Sequence, residues 1–278
     1  GYLGFSPGYG ASPSLAPVRH GERAVKDLAR SFGGRYAVRN AATLKEFCRL
    51  APQASIIHFY GHGKSNYAKP EYSWLAFADD GNSEYSAADF EKQGLLSSRA
   101  ADQERFIPQG ERFQRFVFAY QLGLLQLNAD MVMLSACETG VGRIYGGEGA
   151  QSLARAFMDA GCRSVCMTLW PVDDAATASL SKKLLENIRK GMRTDEALRM
   201  AKLAFVEREL SAAPYLWAGF VLTGSDAPVE SFAQSWHLPW GDAGLSAQAV
   251  FAAGAALVLL AIALWMRKRR RARGMGAG

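Results

Sequence analysis

The sequence predicts an α/β fold whose mainly parallel sheet is covered by helices on both faces, followed by a single C-terminal transmembrane helix. Three observations carry that prediction. Ser55–Tyr60, Asp130–Leu134 and Ser164–Leu169 are apolar with little alternation, as strands buried on both faces must be. Between them, Arg19–Phe32, Gly149–Ala160, Asp174–Lys190 and Thr194–Leu210 space their apolar residues at the helical period. Beyond them all stands Ala247–Met266, 20 residues without a charge.

Taken in order, Tyr2–Ser6 reads as a short strand. The opening has no initiator Met, no basic region and no long apolar run, so it is not a signal peptide, and the chain is expected to be the C-terminal piece of something longer. In Arg19–Phe32, Val25, Leu28 and Phe32 share a face, and Gly33-Gly34 ends the helix. Tyr36–Val38 is a brief strand, and Thr43–Leu50 a helix capped by Asn40 or Thr43. Ser55–Tyr60 stops at Gly61-His62-Gly63, and Trp74–Ala78 is a further strand. A polar stretch from about 81 to 115 lacks periodicity and reads as a surface insertion or flexible loop. Phe116–Leu127 reads as helix, and Asp130–Leu134 leads into Ser135-Ala136-Cys137. Tyr215–Thr223 is the last apolar strand. The domain so defined is 1–224, and 225–246, with Pro228, Pro239 and Gly241, is a linker.

The net charge of +6 resides in one place: Arg267, Lys268, Arg269, Arg270, Arg271 and Arg273 lie together within the tail 267–278, and everything before Arg267 is neutral overall. The basic balance therefore gives no reason to expect nucleic-acid binding. Four cysteines in 278 residues do not make a disulfide scaffold. Cys162 and Cys166 have no second pair to complete a zinc site, so they read as packing residues and no metal is expected. Gly146-Gly147-Glu148-Gly149 lacks the Lys-Ser/Thr of a phosphate loop, and no cofactor is expected.

A helix over 247–266 would span ~30 Å, the thickness of a bilayer's hydrocarbon core. Trp265 stands at its end and the arginines follow, while the preceding flank carries Asp226, Glu230 and Asp242. The chain is thus expected to be a single-pass membrane protein. The positive-inside rule favours a cytoplasmic tail with the main domain on the other side; tail-first insertion would reverse this.

In open parallel sheets, reactive groups gather at the carboxyl ends of strands. Two apolar strands here end unusually: Ser55–Tyr60 delivers Gly61-His62-Gly63, and Asp130–Leu134 delivers Ser135-Ala136-Cys137-Glu138-Thr139-Gly140. A thiol and an imidazole from separate strand ends are what a nucleophile and its base require. The backbone N–H groups of Gly63 and Cys137 could form an oxyanion hole. Spacing alone leaves the pair open between packing and catalysis.

The run Leu134-Ser135-Ala136-Cys137-Glu138-Thr139-Gly140, then Gly147-Glu148-Gly149, Leu153-Ala154-Arg155-Ala156-Phe157 and Leu169-Trp170-Pro171-Val172-Asp173-Asp174, resembles the CHAT family of caspase-like peptidases, relatives of caspases and separases. Ala197-Leu198, Tyr215-Leu216-Trp217-Ala218-Gly219-Phe220 and the upstream His62-Gly63 continue the likeness across nearly all of 1–224. The resemblance implies a caspase-haemoglobinase-like three-layer sandwich acting as a cysteine endopeptidase on a protein or peptide substrate. Cys137 would be the nucleophile, and His62 the general base or ion-pair partner. His58, inside the strand, reads as structural; His20 and His237 lie on an early loop or helix start and in the linker. Trp170, Asp173 and Asp174 are candidates for the substrate pocket, with an N-cap role the alternative for the two acids. Ala175-Ala176-Thr177-Ala178 stands where separases carry an acidic residue for a basic P1 side chain, so that preference does not carry over. Such domains resemble modules that follow tetratricopeptide repeats, which implies a regulatory partner or an upstream repeat array. The rival reading is a membrane-anchored scaffold of the same fold without turnover, against which intact His62 and Cys137 stand.

Overall fold

The computed structural model describes residues 1–10, 12–66, 68–79, 106–111, 115–135, 148–208 and 213–229. The chain divides into two units, Gly1–Ala233 and Gln234–Gly278, and the second lies outside the described residues.

Six strands form the main sheet: β1 (Tyr2–Pro7), β2 (Arg35–Arg39), β3 (Ile56–Tyr60), β7 (Met131–Ser135), β8 (Ser164–Thr168) and β9 (Phe220–Gly224), in the order β2-β1-β3-β7-β8-β9. The first five run parallel and β9 pairs antiparallel with β8. Every residue of β1, β3, β7 and β8 is buried, whereas β2 and β9 are partly exposed. The apolar runs in the sequence have this physical cause: a central strand covered on both faces has no solvent side for polar residues.

Helices cover the two faces. On one, α1 (Gly21–Phe32), α5 (Asp174–Arg189) and α6 (Thr194–Arg208) bring Leu28, Leu180, Leu184, Ile188 and Ala201 onto Tyr2, Ile56, Met131 and Met133. On the other, α2 (Leu44–Leu50) and α4 (Glu148–Asp159) bring Phe47, Leu153 and Phe157 onto Leu3, Phe5, Ile57 and Val132. The result is three layers with a core on each side of the sheet. Local signals set the helix ends. Thr43 caps α2, its hydroxyl accepting from Glu46 N at 3.2 Å, and Gly33 ends α1 in the left-handed region at φ 65°.

Four expectations need correction. Phe116–Leu127 is not one helix: Phe116–Phe118 is strand β6, followed by the single turn α3 (Ala119–Leu122). With β4 (His62–Lys64) and β5 (Trp74–Ala76), β6 forms a second, antiparallel sheet over its own core of Tyr9, Leu15, Tyr72, Trp74 and Phe118. The last strand is Phe220–Gly224, because a 3-10 turn at Pro214–Leu216 takes up the start of the expected run. The polar stretch about 81–115 is not surface throughout. Residues 81–105 lie outside the described residues, but Phe106 stacks on Tyr72 at 4.2 Å and the side chains of Glu111 and Arg115 are buried. The linker likewise begins packed: Asp226 O accepts from Thr194 N, and Val229 is buried against the second core.

No helix among the described residues is long and apolar enough to cross a membrane. Ala247–Met266 and the basic tail lie outside the described residues.

Candidate functional site

The carboxyl ends of β3 and β7 are neighbours. Tyr60 pairs with Ser135, and Gly61 N donates to Ser135 O at 3.2 Å. Two residues past one tip stands His62; two past the other stands Cys137, which lies outside the described residues. Gly61, between Tyr60 and His62, makes room for Tyr9, since a Cβ on it would stand 2.5 Å from the Tyr9 hydroxyl.

His62 opens β4 and is partly exposed. Three groups hold it. Its backbone N–H donates to the Tyr9 hydroxyl at 2.8 Å, its ring lies 4.7 Å from the Tyr9 ring, and its Nε2 meets the Ala16 carbonyl at 2.7 Å. A carbonyl only accepts, so Nε2 carries the proton and, in the neutral ring, Nδ1 is the nitrogen able to take one. Tyr9 is fixed in turn by donating to Ala76 O at 3.1 Å. Burial raises its phenol above the ordinary range, which keeps it a donor at neutral pH.

His62 borders a cavity of about 160 Å³ together with Val18, Tyr60, Ser135, Pro171, Val172 and Asp174. Of the two adjacent aspartates, Asp173 is the N-cap of α5, its Oδ1 accepting from Ala175 N at 2.9 Å and Ala176 N at 3.0 Å. Asp174 lines the cavity; its Oδ2 accepts from Arg19 N at 3.2 Å and its carbonyl from the Tyr60 hydroxyl at 2.6 Å. Trp170 is engaged outside the cavity lining, donating from its indole to Tyr215 O at 2.7 Å and packing against Gly219. Gly63, the other half of the expected oxyanion hole, is buried in β4 opposite Leu75.

His58 occupies a different environment. It is fully buried, with Nδ1 3.0 Å from the Tyr2 hydroxyl and Nε2 3.1 Å from Ser135 Oγ. Burial pushes its pKa down to about 3, so the ring is neutral and cross-links three strands. The described cysteines are also removed from chemistry. Cys162 and Cys166 pack into the cores on opposite faces of the sheet, so they cannot share a metal. Burial pushes the thiols of Cys48 and Cys162 up to about 12. Among the described residues no cluster of three or more His, Cys, Asp or Glu is placed to hold a metal.

The sequence reading missed Ala16 and Tyr9. Tyr9, in the turn Gly8-Tyr9-Gly10 just past the first strand, offered a weak signal; a backbone carbonyl that orients a histidine leaves none in the side chains.

A mainly parallel sheet with a tautomer-fixed histidine beside the tip of the neighbouring strand defines an α/β domain with its candidate site at the strand ends. The model of the CHAT domain matches residues 11–225, and the chain belongs to the CHAT domain family. It is 25% identical over 227 residues to Tetratricopeptide repeat protein 28 of Homo sapiens, covering 77% of this chain and 9% of that protein. To the Mus musculus protein of the same name it is 32% identical over 107 residues, 38% of this chain and 4% of the other. The chain thus spans less than a tenth of these curated relatives. Among solved structures, the Saccharomyces cerevisiae separase-securin complex aligns at a TM-score of 0.42 and 12% identity, over 80% of this chain and 12% of that one.

Proposed function

We propose that the chain is a cysteine endopeptidase of caspase-like type, with Cys137 as nucleophile and His62 as base. The observation that carries this reading is the adjacency of the β3 and β7 tips, together with the Nε2–H tautomer that the Ala16 carbonyl imposes on His62. Neutral His62 takes the Cys137 thiol proton at Nδ1, and the imidazolium keeps its Nε2–H on Ala16 O. The thiolate adds to a peptide carbonyl, whose oxyanion would be met by backbone N–H groups, Gly63 and Cys137 being the candidates. The imidazolium then protonates the leaving amine. Water, deprotonated by the same nitrogen, hydrolyses the thioester and regenerates the thiol. Asp174 in the cavity lining is the candidate contact for a substrate side chain.

Residues 247–266 anchor this domain to a membrane in a single pass, with the basic tail cytoplasmic. A partner or repeat array that switches the enzyme is in keeping with the tetratricopeptide-repeat name of its relatives.

The test uses the full chain in membranes. A thiol-reactive peptide electrophile should label Cys137 in the native protein and not in His62→Ala. Equal labelling of both refutes the dyad. Release of the native protein from membranes by alkaline carbonate refutes the anchor.

A further inference from the structure

One ion pair secures both supports of His62. Glu111 and Arg115 are four residues apart, joined at 2.6 Å, with side chains 1% and 5% exposed. The Glu111 carboxylate also accepts from the Ser12 hydroxyl, from the Ser14 hydroxyl at 2.7 Å and from Ser14 N at 3.3 Å. Ser12 Oγ accepts in turn from Leu15 N at 2.8 Å. Residues 12–15 are thereby pinned, and the next carbonyl, that of Ala16, is the one on His62 Nε2. Arg115 serves the other support: its Nε donates to Phe77 O at 3.2 Å and its guanidinium lies 5.7 Å from the centre of the Tyr9 ring. That ring packs on His62, and its hydroxyl holds the His62 backbone. Burial alone would raise the Glu111 pKa, but the two serine hydroxyls and the guanidinium outweigh it, so the carboxylate is charged at neutral pH.

A buried ion pair gains little net stability over apolar residues of the same volume, because both charges must be desolvated. We propose that Glu111 and Arg115 are positioning residues for His62. Glu111 holds the strap that carries the Ala16 carbonyl, and Arg115 holds the Tyr9 ring. Loss of either lets the imidazole turn away from the orientation that activates Cys137. This rests on the dyad reading above.

The experiment is a double-mutant cycle on the full chain. Alkylation of Cys137 by iodoacetamide is followed by mass spectrometry across pH, in wild type, Glu111→Gln, His62→Ala and the double variant. The expected result is that Glu111→Gln raises the apparent pKa of Cys137 and slows its alkylation at pH 7 about tenfold or more. His62→Ala slows it as well, and adding Glu111→Gln to His62→Ala costs nothing further. An unchanged profile in Glu111→Gln, or the same loss in both backgrounds, overturns the proposal and leaves the dyad standing. If His62→Ala itself leaves Cys137 unaffected, the dyad reading falls and this one with it. Should Glu111→Gln fail to fold, Ser12→Ala/Ser14→Ala cuts the strap and keeps the ion pair, and the same cycle is read.

Discussion

Four residues separate His58 from His62, and the two rings meet opposite environments. His58 sits inside β3 with a side-chain hydroxyl at each nitrogen, and burial pins it neutral. His62 stands just past the tip of the same strand, partly exposed, held from one side by a carbonyl and from below by an aromatic ring. The strand interior sets a side-chain hydroxyl against each ring nitrogen of His58, while at the tip a backbone carbonyl meets Nε2 of His62 and fixes its tautomer. Position along a parallel strand, rather than residue type, separates the buried cross-link from the partly exposed ring at the cavity.

The thiols should divide in the same way, and there the largest effect is expected. At pH 8 a thiol held near 12 has a thiolate fraction of about 10⁻⁴, so Cys48 and Cys162 should alkylate at least about a thousandfold more slowly than Cys137 in the folded protein. Quantitative mass spectrometry of the four cysteine peptides measures it, and comparable rates would erase the distinction between interior and tip. Next in size, His62→Ala should lower peptidase turnover about 10²-fold or more without lowering the melting temperature by more than a few degrees. His58→Asn should do the reverse in kind. It strands the Tyr2 and Ser135 hydroxyls and should cost about 2–4 kcal/mol at pH 7 in urea unfolding.

His58 also fixes a sign for acid. Between the ordinary histidine value near 6.5 and its native value of about 3, the unfolded chain binds one more proton than the fold. Its contribution is intact above 6.5 and is lost as pH falls, at about 1.4 kcal/mol per unit. The slope of stability against pH from 6 to 4 should therefore flatten by about that amount in His58→Asn. The smallest effect concerns the neighbouring acids. Asp173→Ala should cost about 1 kcal/mol through the lost cap of α5. Asp174→Asn should leave helix stability alone and change only which peptides are cleaved, as a peptide library would report.

Much of this architecture was legible in the sequence for a physical reason. A strand covered on both faces must be apolar throughout, so Ile56–Tyr60, Met131–Ser135 and Ser164–Thr168 announced themselves. The second sheet did not, because three-residue strands such as His62–Lys64 and Trp74–Ala76 are too short for any period to register. Phe116–Phe118 was masked by the turn that follows it, whose Ala119 and Leu122 extend an apolar spacing a helix would also give. At the candidate site, His62 stood out because glycines flank it at the end of an apolar run. The Ala16 carbonyl and the Glu111–Arg115 pair did not: one has no side chain to read, and the other has the i,i+4 spacing of an ordinary solvated helix face.

The first strand has a practical meaning for anyone excising this domain. The family match begins at residue 11, yet β1 lies between β2 and β3, and Tyr9 sits under the imidazole. A fragment trimmed to the matched boundary would lose an inner plank of the sheet together with the ring that cushions His62. Any assay on it would report the broken sheet rather than the site.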